Sequence, residues 1–248
     1  MNVLVVISRY NEDISWVSEL KVPYLIINKG NPIDNPNCVC IPNSTNGREA
    51  HSYVWYILQH YDNLPDSVIF LQGNPFDHQK RIIEMLDPEV IKKMPSFQPL
   101  TAGYTDDLPP QDLRHITRRE FEGFEYHIMH FGETMTDIYP EYHDEGLKNI
   151  INWCYDDLKY VSIRKQMHAL FEVPYDEKCM TPYFFAAMFK IDKELIRKYS
   201  KDFYAQLFKL LERHIVYVYL CERMWYAMFV EANIPLPEDS SINLVTKT

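Results

Sequence analysis

The residues with the most chemical capacity in this sequence follow short runs of apolar, β-branched residues. Gly73-Asn74-Pro75-Phe76-Asp77-His78 comes directly after Ser67-Val68-Ile69-Phe70-Leu71-Gln72. Gly73 permits close backbone approach, Pro75 stops a hydrogen-bonded ladder, and Asp77 with His78 supplies one hard and one borderline metal ligand. Asp77 is the better ligand of the two, because divalent metals that carry phosphates prefer carboxylate oxygens. A tight turn whose Asp and His face water has the same composition. A second group, Arg9, Asn11, Glu12 and Asp13, leaves the run Val3–Ser8 together, as a ligand site or as a solvated turn. In a third, Asn46-Gly47-Arg48-Glu49, free backbone N–H groups at a helix start and a guanidinium can hold a diphosphate. Arg48 and Glu49 also suit an exposed first turn.

Looser acidic and histidine groups come later: Asp106-Asp107, His127 and His130, His143-Asp144-Glu145, and Asp176-Glu177. His127-Ile128-Met129-His130 lacks the Glu of a zinc-protease helix, and on a strand its two rings point to opposite faces, so it reads as structural. The carboxylate pairs read first as solvated turns. Glu222 falls inside an apolar helix, where an unpaired carboxylate is costly, so pairing with Arg223 is favoured over an acceptor contact. Trp225 and Tyr226 suit a helix core better than a sugar platform. No G-x-G-x-x-G, Walker loop or G-x-S-x-G elbow occurs, which disfavours several large enzyme classes.

These groups need elements to position them. Val3–Ser8, Tyr24–Asn28, Cys38–Ile41 and Val68–Gln72 read as strands, and the order predicts βαβ units with a largely parallel sheet. Ala50, Tyr53, Val54, Ile57, Leu58 and Tyr61 form one helical stripe, capped by Asn46 with Glu49 at the third helical position. Such a sheet binds ligands beyond the carboxyl ends of its strands, where the three groups above lie. Phe97–Asp144 reads as a long irregular stretch lining a site or lid, with turns at Gly103, Pro109-Pro110, Gly123 and Gly132. A helix from Gly146 toward Tyr160 and a strand or strand-edge over Tyr183–Ile191 follow. Asp192 and Ser200 then cap two helices, and a last helix covers Ile215–Glu231. The expected organisation is one α/β domain over residues 1–234 and a loose tail over 235–248.

The 248 residues carry 25 Lys+Arg against 35 Asp+Glu, a formal charge of −10 that disfavours a polyanion such as nucleic acid as partner. Five cysteines, scattered and odd in number, fit neither a zinc site nor a disulfide framework and suggest reduced thiols. The apolar start is short and lacks a basic leader, and the apolar run Ile215–Cys221 is too short to span a bilayer. The expectation is a cytoplasmic protein with no membrane span.

Several segments resemble, in order, a family catalogued as a domain of unknown function and related to GT-A glycosyltransferases. They are Ile7 to Trp16, Asn28-Lys29-Gly30, Asn46 to Ala50, Tyr61 to Pro65 and Val68 to Gly73. Phe189-Lys190-Ile191-Asp192, Phe203-Tyr204 and Glu222-Arg223-Met224-Trp225 extend the resemblance to most of the chain. It implies a GT-A-like (Rossmann-like) α/β fold and transfer of a sugar from a nucleotide-diphosphate donor to a saccharide or other hydroxyl acceptor. On that reading Arg9, Asn11 and Glu12 contact the nucleoside, and Lys29 and Arg48 neutralise phosphate charge. Asp77, with His78, holds a divalent cation, Mn or Mg, or the donor sugar. Asp176 or Glu177 takes the acceptor proton if the reaction inverts the anomeric centre. GT-A enzymes usually carry Asp-x-Asp after the strand equivalent to Val68–Gln72. This sequence has none, and Asn74 and Asp77 stand one residue too far apart. A noncatalytic nucleotide-sugar or carbohydrate-binding protein on the same fold is the alternative.

Overall fold

The computed structural model describes residues 2–42, 47–102, 116–131 and 162–235. Strand β1 (Val3–Arg9) is central, flanked in parallel by β2 (Tyr24–Asn28) and β4 (Ser67–Gln72), with β3 (Cys38–Cys40) parallel at the edge. The predicted parallel unit is therefore present. Its other side is different: β9 (Phe189–Asp192) runs antiparallel between β4 and β5 (Phe97–Pro99), completing the order β3-β2-β1-β4-β9-β5.

Side chains of β1 and β4 alternate across the sheet, and both faces are covered. Val6, Val68 and Phe70 face helix α1 (Arg48–His60) and the C-terminal helices, while Val5, Ile7, Ile69 and Leu71 face Trp16, Ile82 and Met85. Helix α1 docks through the predicted stripe, with Ala50, Tyr53, Val54 and Ile57 buried, and the Ser8 hydroxyl bonds that of Ser52 at 2.8 Å. Asn46, expected to cap α1, lies outside the described residues. Gly47 holds the cap position, which makes Glu49 the second helical residue rather than the third.

Within the stretch expected to be irregular, β6 (Ile116–Phe121) and β7 (Phe124–Phe131) form a hairpin turned at Glu122-Gly123. Both turn residues have positive φ, 50° and 77°, so the expected turn at Gly123 is a left-handed one. Alternating side chains and the Gly in its turn are weak signals beside the surrounding Pro and His, which hid the hairpin. It joins β8 (Cys179–Tyr183) and β10 (Ile234–Pro235) in a second, antiparallel sheet that sequence reading did not foresee. The expected turns at Gly103, Pro109-Pro110 and Gly132, the helix from Gly146, and the tail after Pro235 lie outside the described residues.

The strand or strand-edge expected over Tyr183–Ile191 is found only at its two ends, the last residue of β8 and the start of β9, because Ala186 and Ala187 break the segment with φ of 63° and 48°. Asp192 leads into a short helix without a side-chain cap bond, whereas the Ser200 side chain accepts from Phe203 N to start a helix over Lys201–Arg213. The last helix, Val216–Phe229, buries Trp225 completely against Phe189 and Phe229, a core role. No helix among the described residues is long and apolar enough to cross a membrane.

Candidate functional site

At the end of β1, Arg9 is buried and its guanidinium is used internally. Its Nη1 donates to Asn28 Oδ1 at 2.8 Å and to the carbonyls of Tyr10 and Asn31 at 3.2 and 3.0 Å, and its Nε donates to the Glu12 carbonyl at 3.0 Å. Asn11 Oδ1 accepts from Asn31 N at 2.9 Å, and Glu12 Oε2 accepts from Tyr10 N at 2.6 Å. Arg9 and Asn11 thus tie the loops after β1 and β2 together. Gly30 is required there, since a Cβ on it would stand 1.4 Å from the Tyr10 carbonyl oxygen.

Lys29, next along, is buried. Its Nζ donates to the Arg48 carbonyl in the first turn of α1, where Arg48 has a φ of 38°. Loss of hydration lowers the Lys29 pKa to about 8, against the opposing pull of the Glu49 and Glu12 charges. Arg48 itself is exposed: its Nη1 donates to the Tyr219 hydroxyl at 3.2 Å and its guanidinium lies over the Tyr219 ring at 5.5 Å. Burial and the charge of Glu222 raise the Glu49 pKa to about 7, although Arg48 and Lys29 pull it down.

At the end of β4 the Gly73 carbonyl accepts from Trp16 Nε1 at 3.0 Å. A Cβ on Gly73 would meet Glu12 Oε2 at 2.7 Å, so the loop after β1 lies directly against it. Asp77 is exposed and accepts from Asn74 Nδ2 at 2.8 Å. His78 is half-buried. Desolvation lowers its pKa, and the charges of Asp77 and Glu222 oppose that shift.

The residues that sequence reasoning did not join to this group come from the C-terminal half. Gln72 Nε2 donates to the Ala186 carbonyl at 2.8 Å, and Ala186 N donates to Glu222 Oε1 at 2.8 Å. Glu222 Oε2 accepts from Arg223 at 2.9 Å, the pairing expected from sequence, but the carboxylate also faces the crevice group through its field on Glu49 and His78. The available signal was a single carboxylate inside an apolar helix. The charges of Glu12 and Glu49 therefore act on Lys29, and that of Glu222 acts on Glu49 and His78, around the loops at the carboxyl ends of β1, β2 and β4.

Asp176 and Glu177 are set apart from it. Both are exposed in the turn before β8, where Asp176 accepts from Lys178 N at 2.9 Å and is held below its ordinary pKa by that bond. The four steps of β8 alone span roughly 13 Å, and they separate this turn from the Ala186 end. His127 is buried on β7 against Glu125, in agreement with a structural role. Asp106-Asp107 and His143-Asp144-Glu145 lie outside the described residues.

For a divalent cation, Asp77 and His78 bring two ligands, and no group of three or more His, Cys, Asp or Glu that could hold a metal ion occurs among the described residues. These residues do not make a fitting metal site. Cys38, Cys40, Cys179 and Cys221 are free thiols, and Cys154 lies outside the described residues.

No curated protein and no solved structure matches the chain. The model of one family, described as "Protein of unknown function (DUF3431)", matches residues 4–242, nearly the whole sequence. The chain therefore belongs to the DUF3431 family.

Proposed function

We propose that this protein is a glycosyltransferase, moving a sugar from a nucleotide-diphosphate donor to a hydroxyl acceptor in the crevice at the carboxyl ends of β1, β2 and β4. The observation that carries the reading is the convergence there of a buried lysine, Lys29, with Glu12, Glu49, His78 and Glu222, drawn from both halves of the chain. Open parallel strands converge their loops on such a crevice, and it is where they receive nucleotides. The choice of reaction is suggested by the resemblance of the sequence segments from Ile7 to Trp16 and from Val68 to Gly73 to those of a family related to GT-A enzymes.

The chemistry follows from the charges. Negative charge grows on the departing diphosphate, and Lys29 and Arg48 are the cations available to meet it. Arg48 opens α1, and Lys29 reaches the same turn from the end of β2, where the helix presents its first N–H groups. Arg9 and Asn11 hold the loop carrying Glu12, which leaves Glu12 and the loop backbone to face the nucleoside. No step is assigned to a metal ion, since Asp77 and His78 lack a third ligand among the described residues; Asp77, exposed and held by Asn74, contacts the donor sugar instead.

The test is incubation with a panel of nucleotide sugars, with and without a chelator, while free nucleoside diphosphate is followed. Release that persists in chelator and is lost in Lys29→Met supports the reading. Binding of nucleotide sugars with neither transfer nor hydrolysis would instead favour a noncatalytic binding protein on the same fold.

A further inference from the structure

We infer that Glu49 is the group that accepts the proton of the attacking hydroxyl, and that Glu222 is the residue that positions it. This rests on the glycosyl-transfer reading and adds what that reading lacks, a base within the crevice.

Two facing helices deliver the pair. Glu49 stands in the first turn of α1, and its neighbour Arg48 bonds the Tyr219 hydroxyl at 3.2 Å. Tyr219 and Glu222 are three residues apart on the last helix and so share a face. Glu222 is pinned, with Oε1 taking the Ala186 N–H at 2.8 Å and Oε2 taking Arg223 at 2.9 Å. Glu49 is bonded to its own backbone N–H, and no side chain of the described residues donates to it. Of the two carboxylates it is the one able to receive a proton.

A second observation points the same way. The Tyr53 hydroxyl, one turn along α1 on the face of Glu49, is fully buried, has no hydrogen-bond partner among the described residues, and lies within the field of Glu49. A hydroxyl can donate to a carboxylate and accept from a carboxylic acid. A side-chain rotation that joined the two would let it serve Glu49 in both protonation states, whereas a fixed cation would serve only one. The other groups facing Glu49 are Lys29 from the end of β2, Arg48 on its own helix, and Cys221 and Glu222 from the last helix, with Glu12 reaching Lys29. Burial and the Glu222 charge bring Glu49 to about 7, the range in which a base is both ionised and proton-hungry at neutral pH.

In an inverting transfer the acceptor O–H bond breaks and its proton passes to the Glu49 carboxylate. The acceptor oxygen forms its bond to the anomeric carbon as the bond from that carbon to the diphosphate oxygen breaks. The electron pair of that bond leaves on the diphosphate, beside Lys29.

The experiment is a carboxyl NMR titration of the full chain labelled in its glutamate carboxyl carbons, without ligand, joined to turnover of the best nucleotide sugar from the panel. One glutamate should titrate with a midpoint at about 7, vanish in Glu49→Gln, and move down by about a unit or more in Glu222→Gln as the like charge is removed. Turnover should fall at least about 100-fold in Glu49→Gln with partial recovery in Glu49→Asp, while inorganic diphosphate still binds. The acid limb of the pH profile should follow the NMR midpoint in both wild type and Glu222→Gln. No carboxyl titrating between about pH 6 and 8, or Glu49→Gln turnover within about threefold of wild type, overturns the assignment of Glu49 and leaves the transfer reading standing. Absence of turnover in the wild type overturns the transfer reading itself.

Discussion

Glu222 on the last helix accepts the backbone N–H of Ala186 at 2.8 Å while Ala186 sits at a φ of 63°. One carboxylate thus holds a left-handed alanine against the end of β4. A residue with a Cβ costs on the order of 1 kcal/mol more than glycine in that conformation. Ala186→Gly should therefore raise unfolding free energy by about 1 kcal/mol, read from the urea midpoint. Glu222→Ala should lower it by about 3 kcal/mol, because the buried Arg223 then loses its partner.

Lys29→Met separates function from stability. Loss of a cation beside the departing diphosphate should reduce turnover at least about 30-fold. Stability at neutral pH should hold or rise, because a poorly hydrated ammonium is removed. The sign can be checked against pH. The folded pKa of Lys29, about 8, lies below its ordinary value of 10.5, so the wild type carries the full penalty below about 8 and sheds it as pH rises toward 10.5. The stability advantage of the variant should shrink across that window in urea unfolding.

His51 is buried, stacked on Phe208 with ring centroids 4.4 Å apart, and 3.7 Å from the Glu212 carboxylate. Desolvation, aided by the Lys29 charge, lowers its pKa to about 4. A group depressed in the folded state contributes stability above its ordinary pKa of 6.5 that is lost as pH falls toward 4. His51→Phe, which keeps the stack, should abolish up to about 3 kcal/mol of acid destabilisation in that range. Urea midpoints measured at both ends of the window give the answer.

Two glycines should differ sharply. In Gly30→Ala the new methyl collides with backbone, the Tyr10 carbonyl at 1.4 Å, and the loops after β1 and β2 must separate. In Gly73→Ala it meets the tip of a flexible side chain, Glu12 Oε2 at 2.7 Å. Gly30→Ala should lower the melting temperature and abolish nucleotide-sugar binding. Gly73→Ala should leave melting within a few degrees of wild type and weaken binding, as isothermal titration would show.

What could be read in advance was set by local pattern. The runs Val3–Ser8 and Tyr24–Asn28 and the stripe on α1 are written in neighbouring residues, so the parallel unit and the meeting of loops at its carboxyl end followed from them. Arg9, Asn11, Glu12 and Lys29 lie in the loops that meet there, whereas the Arg48 guanidinium turns to Tyr219 on the last helix. The partner of Glu49 could not be read the same way, because Glu222 reaches it through the packing of two helices more than 150 positions apart in sequence. Nor could the break at Ala186-Ala187, since alanine carries no preference for positive φ and the conformation is imposed by Gln72 and Glu222. Asp176 and Glu177 drew attention as an acidic pair before a strand, whereas the Asp176 carboxylate is occupied in ordering its own turn.

The position of β9 between β4 and β5 also governs how the chain comes into being. Phe189 pairs with Pro99 about ninety residues after it and with Phe70 still further back. During synthesis the edge of β4 must therefore wait unpaired while the whole intervening segment emerges, a state open to pairing with other chains. An N-terminal fragment ending near Ala102 should aggregate for the same reason. The turn at Ala186 that presents its N–H to Glu222 is also what aims β9 into that gap, so assembly of the crevice and protection of the nascent sheet are one event.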